Sequence, residues 1–348
     1  MLQPGPALSA AQTMPNAAHG GGVSPVAQET RHRPLLRVRD LTVRLGPVAA
    51  VTDLSCEVRR GEFLGIVGES GSGKSVTAKA ILGLLPHSAN VTGSVQLDGF
   101  ELLGAPSETM RRIRGDRIGL VFQDALAALD PVYTIGDQLV EALQAHTDLS
   151  YKAARKHAAD LLGEVRIPRP VERLDAYPHQ LSGGQRQRVV IASALIAEPD
   201  LIIADEPTTA LDVTVQKQVL ELLAEVCQRR GASVMLVTHD LGVVAQTCDR
   251  VATFYGGLLV EEADVFTLFE KPRHPYTEAL LRSVPRLGED TPFEAIPGSP
   301  AQISIRLDSC PFAPRCEYAA TVCRTDLPPE FRDGTHRHRC VRAGRGEL

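Results

Sequence analysis

Short apolar runs recur along the chain, and each ends in glycine or polar residues. A run of this length and composition is typical of a strand buried on both faces of a sheet. A shorter stretch, LTVRL from Leu41 to Leu45, instead alternates apolar and polar positions, as a half-buried strand does. The four buried strands are predicted at EFLGIVG, RIGLVFQD, DLIIADEP and SVMLVTHD.

Helical periodicity appears between and beside these runs. Between DLIIADEP and SVMLVTHD, the apolar residues Val215, Val219, Leu222, Leu223 and Val226 form one helical face. Gly231 follows, where a C-terminal cap is expected. Strands that alternate with helices predict an α/β core with a mostly parallel sheet.

The residues from about 125 to 180 show only helical patterns. Ser150 is placed to cap a helix whose apolar face runs from Ala154 to Val165. We interpret this stretch as a helical subdomain inserted into an α/β domain that spans 34–265. Residues 1–33 are rich in Ala, Gly and Pro and predict a disordered tail. Residues 266–348 are rich in Pro, Arg and Cys and predict a small, separate extension.

The octapeptide GESGSGKS follows the first buried run and precedes a helix. It matches the pattern G-x-x-x-x-G-K-[ST], in which backbone N–H groups surround a phosphate at a helix N-terminus. Lys74 would reach the β- and γ-phosphates and Ser75 would ligate Mg²⁺. The expected nucleotide contacts of this segment are Gly68, Ser70, Gly71, Gly73, Lys74, Ser75 and Val76.

An acidic pair ends the run LIIADE. Asp205 would hold Mg²⁺, and Glu206 would polarise the attacking water. Phosphoryl transfer needs little from a protein beyond metal, positioning and a base. The pair and the phosphate loop together predict a nucleoside triphosphatase.

LSGGQ, from Leu181 to Gln185, narrows this class. With the elements above, it makes residues 35–265 resemble the ATP-binding cassette (ABC) ATPases, a P-loop fold with an inserted helical subdomain. In this resemblance Gln123 senses Mg²⁺, His239 contacts the γ-phosphate, and Ala210 to Asp212 form the D-loop. Ser182, Gly183, Gly184 and Gln185 would cover ATP held by a second cassette, so the resemblance implies an ATPase that works in pairs.

Two positions depart from the family pattern. Leu45 stands where an aromatic residue usually stacks on adenine, so we expect apolar contact with the base and weaker adenine selectivity. ALAALDP, from Ala125 to Pro131, replaces a differently composed segment after Gln123 and is expected to alter contact with the membrane partner.

Two C-terminal segments are similar to the ATPase subunits of bacterial dipeptide and oligopeptide importers, to which nickel importers are related. They are HPYTEALLRSVPRL, from His274 to Leu287, and IPGSPAQI followed by SCPFAPRC. The resemblance implies two transmembrane permeases, a second ATPase that is often non-identical, and an extracytoplasmic peptide-binding protein. It places the chain at the cytoplasmic face of the inner membrane and leaves a nickel importer as the alternative.

Four of the seven cysteines crowd the last forty residues. Cys310, Cys316, Cys323 and Cys340 are separated by five, six and sixteen residues, which matches neither a ferredoxin run nor a C-x-x-C zinc pattern. The importer resemblance implies a 4Fe-4S cluster here. Zinc, or packed thiols without metal, remain alternatives. His336 and His338, beside Cys340, are alternative ligands but are expected to be solvated.

Several features of the sequence disfavour other classes of protein. The net charge of −5 lacks the basic balance of a nucleic-acid binder, so an ABC protein acting on DNA or ribosomes is disfavoured and no nucleic-acid partner is expected. No apolar run reaches the roughly 18 residues of a membrane span. A metal-dependent regulatory module with vestigial hydrolysis is disfavoured by the intact phosphate-handling residues.

Overall fold

The computed structural model describes residues 34–208, 211–283, 295–301 and 307–348. The tail predicted for residues 1–33 lies outside the described residues, as do Thr209, Ala210 and part of both importer-like segments.

The first layer is a 4-stranded antiparallel sheet in the order β2-β1-β4-β5. Only a part of β1, at Leu41–Leu45, was predicted as a strand from the sequence. Opposed apolar residues, such as Leu41 facing Leu54 and Val43 facing Val51, turn one face of the sheet towards the core. The strands are β1 (Pro34–Leu45), β2 (Val48–Arg59), β4 (Ala89–Leu97) and β5 (Phe100–Glu101).

The central layer is an 8-stranded sheet whose parallel part has the order β9-β3-β8-β7-β6. Its strands confirm the four buried runs predicted from the sequence. β3, β7 and β8 are buried at every position, which explains why their sequences do not alternate. The strands are β3 (Phe63–Val67), β6 (Ile118–Val121), β7 (Leu201–Asp205), β8 (Ser233–Val237) and β9 (Arg250–Tyr255).

The C-terminal residues extend this sheet instead of standing apart from it. β10 pairs with β9, β12 pairs with β10, and β11 pairs with β12, all antiparallel. This pairing joins the extension predicted for residues 266–348 to the central sheet, and a pairing over about seventy residues leaves no local sequence signal. The strands are β10 (Leu258–Asp264), β11 (Phe331–Asp333) and β12 (His336–His338).

Helices cover the sheet and fill the stretch from residue 125 to residue 180. Two predicted helix boundaries are confirmed: the Ser150 Oγ accepts from the Ala153 N–H at 3.4 Å, and Gly231 ends its helix with a φ of 70°. The helices are α1 (Lys74–Ile81), α2 (Ser107–Asp116), α3 (Ala125–Ala128), α4 (Ile135–Gln144), α5 (Tyr151–Glu164), α6 (Pro170–Arg173), α7 (Gly183–Leu195), α8 (Val213–Arg230), α9 (Leu241–Thr247), α10 (Val265–Glu270), α11 (Pro275–Arg282), α12 (Thr321–Thr325) and α13 (Val341–Gly344).

The core lies on both faces of the central sheet. Along β7, Ile202 and Ala204 pack against the helices, whereas Leu201 and Ile203 pack towards the antiparallel sheet. Within the described residues no helix is both long and apolar enough to cross a bilayer.

A third apolar cluster joins the C-terminal region to the central sheet. Its buried members are Tyr255, Leu258, Val260, Tyr276 and Phe312. The C-terminal region is thereby packed directly beside the edge of the sheet from which the phosphate loop leaves β3.

Candidate functional site

The phosphate loop leaves the carboxyl end of β3 in a backbone conformation that only glycine adopts easily. Gly68 has a φ of 147°, and a Cβ there would lie 2.2 Å from the Phe254 carbonyl oxygen. Gly73 has a φ of 106° and precedes α1, and a Cβ there would lie 2.7 Å from the Ala50 carbonyl oxygen. Both glycines are therefore required by the close approach of β2 and β9 to the loop. Ser70 and Gly71 lie at the exposed tip of the loop.

Lys74 is folded back against this loop. Its side chain is buried, and its Nζ donates to the carbonyl oxygens of Gly68 at 2.8 Å and Glu69 at 2.9 Å. Burial lowers the pKa of Lys74, and the neighbouring carboxylates of Glu206 and Asp205 act in the opposite direction. An ammonium group held inside a ring of backbone groups is suited to bind an anionic oxygen.

Asp205 and Ser75 meet where β7 ends and α1 begins. The Ser75 Oγ donates to the Asp205 Oδ1 at 2.7 Å. Burial raises the pKa of Asp205, so its ionised form lacks a full set of compensating partners. A hydroxyl and a carboxylate in contact form an oxygen donor set that suits Mg²⁺, and a bound cation would favour the ionised carboxylate.

Glu206 occupies the next position with a φ of 45°, which is unusual for a residue with a side chain. Its backbone N–H donates to the Val237 carbonyl oxygen at 2.9 Å, which fixes it between β7 and β8. Its Oε2 accepts from the Gln123 Nε2 at 3.3 Å and lies 3.7 Å from the His239 Nδ1. Strained backbone of this kind concentrates at functional sites.

Three separate strand ends thus supply one polar cluster. Gln123 follows β6 and His239 follows β8, and both side chains are exposed beside Glu206. The cluster adjoins Ser75 and Lys74, so the structure brings together most of the residues expected to handle phosphate and metal.

Leu45 and Val76 were also expected to contact the nucleotide. Each is partly buried and packs against the core on the side of the antiparallel sheet. An apolar surface is therefore present at the position where the sequence predicted contact with a base.

The pentapeptide LSGGQ, called the signature below, leads into α7. The Ser182 Oγ accepts from the Gln185 N–H at 3.3 Å, and the Gln185 Oε1 accepts from the Ser182 N–H at 3.1 Å, so the two residues cap α7. Gly183 and Gly184 pack towards the start of α8, because a Cβ on Gly184 would lie 2.8 Å from the Val215 Cγ1. Asp212 caps α8 by accepting from the Val215 N–H at 3.0 Å.

Two family models match the chain. "ABC transporter" matches residues 51–209, and "Oligopeptide/dipeptide transporter, C-terminal region" matches residues 260–323. The dipeptide transport ATP-binding protein of Bacillus subtilis is 50% identical over 302 residues, which cover 85% of this chain and 89% of that protein. The chain belongs to the oligopeptide and dipeptide transporter family of ABC ATP-binding proteins.

Further members of this family and related cassettes agree with the assignment. The oligopeptide transport ATP-binding protein of Escherichia coli is 43% identical over 311 residues, which cover 88% of this chain and 92% of that protein. The corresponding protein of Mycobacterium tuberculosis is 50% identical, but the chain spans only 52% of its length. A solved dimeric ATP-binding cassette with bound ADP and phosphate is 30% identical, with a TM-score of 0.59, and covers 66% of this chain. The P-loop ABC cassette fold expected from the sequence is thus confirmed.

The four C-terminal cysteines line one small cavity of about 20 Å³. The Cys310 N–H donates to the Cys323 carbonyl oxygen at 3.1 Å, which joins two of their segments. Burial raises the pKa of the Cys310 and Cys316 thiols to about 11, and it also raises that of Cys340. As the side chains lie, no three His, Cys, Asp or Glu residues in the described part of the chain are arranged to hold a metal ion.

His336 and His338 are buried, so the expectation that they are solvated was wrong. The His336 Nε2 lies 2.7 Å from the Oε1 of Glu261, which is itself fully buried in β10. The His338 Nδ1 accepts from the Cys340 N–H at 3.3 Å. Pairing of β12 with β10 carries both histidines into the interior, where they bind protein groups.

Two residues that contact the phosphate loop were not predicted as site residues. Arg315 and Tyr276 bind Glu69, the second residue of GESGSGKS. Both lie inside the importer-like segments of the sequence, Arg315 in SCPFAPRC and Tyr276 in HPYTEALL. Only their position in these segments could have marked them as site residues. Both lie more than two hundred residues from Glu69, so no local pattern indicates the contact.

Proposed function

We propose that this chain is the ATP-hydrolysing subunit of a bacterial importer of dipeptides or oligopeptides. The observation that carries the proposal is the joint presence of two features in one fold. One is the cluster of Lys74, Ser75, Asp205 and Glu206 at the strand ends. The other is a C-terminal region that matches the oligopeptide and dipeptide transporter model. The relatives named above are described by oligopeptide and dipeptide transport, which favours peptides over nickel.

Each residue of the cluster has a role that its contacts support. Lys74 and the loop N–H groups bind the β- and γ-phosphates, and Ser75, Asp205 and Gln123 hold Mg²⁺. Magnesium, when bound, neutralises charge on the phosphate oxygens. Glu206 orients the attacking water and accepts its proton, since it stands between Gln123 and His239. His239 donates towards the γ-phosphate.

The site needs a second cassette to be complete. Ser182 and Gly183 lie at the N-terminus of α7, where backbone N–H groups attract an anion. The signature packs beside α8 and not in the phosphate loop of its own chain. We infer head-to-tail pairing with another ABC ATPase, in which the signature of one chain covers ATP held by the other. The similar solved cassette described as dimeric supports this arrangement.

The permease partners would dock on the helical region that follows Gln123. Leu126, Val132 and Tyr133 in this region, and Phe122 just before Gln123, are large apolar side chains that remain exposed. Apolar groups clustered on a surface mark contact sites for other proteins. A subunit bound at this surface to two permeases would sit at the cytoplasmic face of the inner membrane, with a peptide-binding protein on the far side.

The test uses Glu206→Gln, which is expected to keep ATP bound and the cassette pair closed. The tagged variant would be purified with MgATP from detergent-solubilised membranes of the host, beside wild type without nucleotide. We expect two multi-span permeases and a second cassette ATPase, identified by mass spectrometry. Co-purification of soluble proteins alone, without membrane proteins, would contradict the proposed role in an importer. It would not bear on the proposed ATP hydrolysis.

The four cysteines are proposed to hold a metal centre, a 4Fe-4S cluster or, alternatively, zinc. Their shared cavity supports this proposal. Metal binding would have to displace the thiol protons, which burial favours on Cys310 and Cys316 by raising their pKa. The side chains would have to turn towards one another for three or four sulfurs to bind one centre. A bound metal would cross-link the Pro-rich segments around it.

The metal proposal is tested by metal analysis of protein purified without oxygen. Wild type should contain iron or zinc, and Cys316→Ser should lose it and show faster proteolysis of residues 307–348. The matched control is Cys56→Ser, since Cys56 is a buried thiol of β2. Wild type without iron or zinc would contradict the proposal.

A further inference from the structure

Glu69 in the phosphate loop is held at three points. Its backbone N–H donates to the Tyr276 hydroxyl at 2.8 Å. Its carboxylate accepts from the Arg315 Nη1 at 2.7 Å and Nη2 at 3.1 Å. Its carbonyl oxygen accepts from the Lys74 Nζ at 2.9 Å. One residue therefore connects the phosphate-binding lysine to two side chains of the C-terminal region.

The Arg315 side chain is also held by contacts other than that with Glu69. Only 6% of it is exposed, against 22% for Glu69. It also donates to the Pro297 carbonyl oxygen at 2.7 Å, the Ile296 carbonyl oxygen at 3.2 Å and the Tyr255 hydroxyl at 3.1 Å. A bidentate ion pair shielded from water specifies position more strongly than a surface pair does.

Tyr276 is fixed by packing. It is fully buried, with its ring centroid 4.4 Å from that of Tyr255 and 5.4 Å from that of Phe312. It stands at the first turn of α11, which His274 caps by accepting from the Tyr276 N–H at 3.1 Å. The hydroxyl that meets Glu69 therefore has little freedom to move.

The phosphate loop needs such support because of its glycines. Gly68, Gly71 and Gly73 all have positive φ angles, and glycine has the greatest backbone freedom of any residue. A loop that populates several conformations binds its ligand more weakly, in proportion to the fraction of molecules in the competent one.

We propose that Arg315 and Tyr276 are positioning residues that hold Glu69, and through it the phosphate loop and Lys74, in the conformation that binds nucleotide. The C-terminal region thus acts on the ATP site of its own chain. This inference rests on the proposed ATP binding but not on peptide transport.

The test measures binding of MgATP to the full-length chain by calorimetry, together with the ATPase kcat and KM of the complex that it forms with its second cassette. In Arg315→Met we expect the Kd and KM to rise about tenfold while kcat changes less than about twofold, because only the competent fraction falls. Arg315→Lys keeps the positive charge but cannot make the two parallel hydrogen bonds of the guanidinium group, so it should recover part of the affinity for MgATP. Tyr276→Phe deletes one hydroxyl and keeps the ring, so it serves if Arg315→Met does not fold, with an expected rise in Kd of about threefold.

A double-mutant cycle separates this role from a purely structural one. If Arg315 acts through Glu69, Arg315→Met should add little to Glu69→Gln, whereas independent effects would multiply. The matched control is Arg339→Met, which removes another ion pair between the C-terminal region and the core, with Asp53 at 2.6 Å, and should leave the Kd unchanged.

Multiplying effects, or a Kd within twofold of wild type in both Arg315→Met and Tyr276→Phe, would overturn the inference and leave the ATPase proposal intact. Absence of MgATP binding by wild type would overturn both.

Discussion

The geometry at Gly68 leads to a quantitative prediction for Gly68→Ala. The new methyl group would lie 2.2 Å from the Phe254 carbonyl oxygen and 3.0 Å from the Ser72 Oγ. Phe254 belongs to a paired strand, β9, so its carbonyl cannot withdraw without loss of sheet geometry. The φ of 147° would in addition place alanine in a conformation that L-residues rarely adopt.

Two contributions set the expected size of the effect. Backbone strain at such an angle costs about 1–3 kcal/mol. Forcing a carbon into a filled space costs about 1–3 kcal/mol more. Gly71→Ala is the matched control, because Gly71 has a φ of 76° but open space where the Cβ would lie. Gly71→Ala should lower the free energy of unfolding only by the cost of placing alanine in the left-handed conformation, about 1–2 kcal/mol.

Thermal unfolding followed by circular dichroism checks this difference. We expect Gly68→Ala to melt roughly 5–10 °C below Gly71→Ala, at about 2–4 °C per kcal/mol. MgATP should raise the melting temperature less in Gly68→Ala, because the displaced Gly68 carbonyl also holds Lys74. Melting temperatures within about 1 °C of each other would refute the close-approach argument.

Three further changes test the site and its support. Glu206→Gln should lower kcat at least about a hundredfold while MgATP still binds; near-normal turnover in a phosphate-release assay would show that another group is the base. Asp205→Asn should raise the melting temperature without nucleotide, because burial raises the pKa of Asp205 and so disfavours its ionised form in the folded state. The gain should grow as pH rises from the ordinary pKa of an aspartate to the raised pKa of folded Asp205, and it should stay constant above that. A gain that shrinks with rising pH would contradict this. Arg250→Met leaves the buried Glu62 without its ion-pair partner, whereas Glu262 keeps Arg337, and it should lower the free energy of unfolding by about 3 kcal/mol. A loss below about 1 kcal/mol in urea denaturation would show that the ion pairs contribute little.

Local patterns in the sequence predicted the part of the fold that depends on neighbouring residues. β7 and β8 are uniformly buried, so their composition alone indicates buried strands. The same holds for the Ser150 cap, whose hydrogen bond closes within three residues. The conformation of GESGSGKS was also predictable, because it depends on the spacing of its glycines and on the helix that follows directly.

Contacts between distant residues were beyond such patterns. The antiparallel sheet was missed apart from one segment, since β1 pairs with both β2 and β4 in registers that bulges interrupt. The burial of His336 depends on pairing with β10, and its partner Glu261 is 75 residues away. The ion pair of Arg315 with Glu69 joins residues 246 positions apart. No periodicity records a contact of this kind.

Peptide uptake by the host tests the proposed import function directly. A strain that lacks this chain would be complemented with wild type or with Glu206→Gln at equal expression. The initial uptake rates of a radiolabelled dipeptide, a radiolabelled oligopeptide and radiolabelled nickel would then be compared. We expect that only wild type restores peptide uptake and that nickel uptake is the same in every strain. Peptide uptake that does not depend on the chain, or nickel uptake that does, would contradict it.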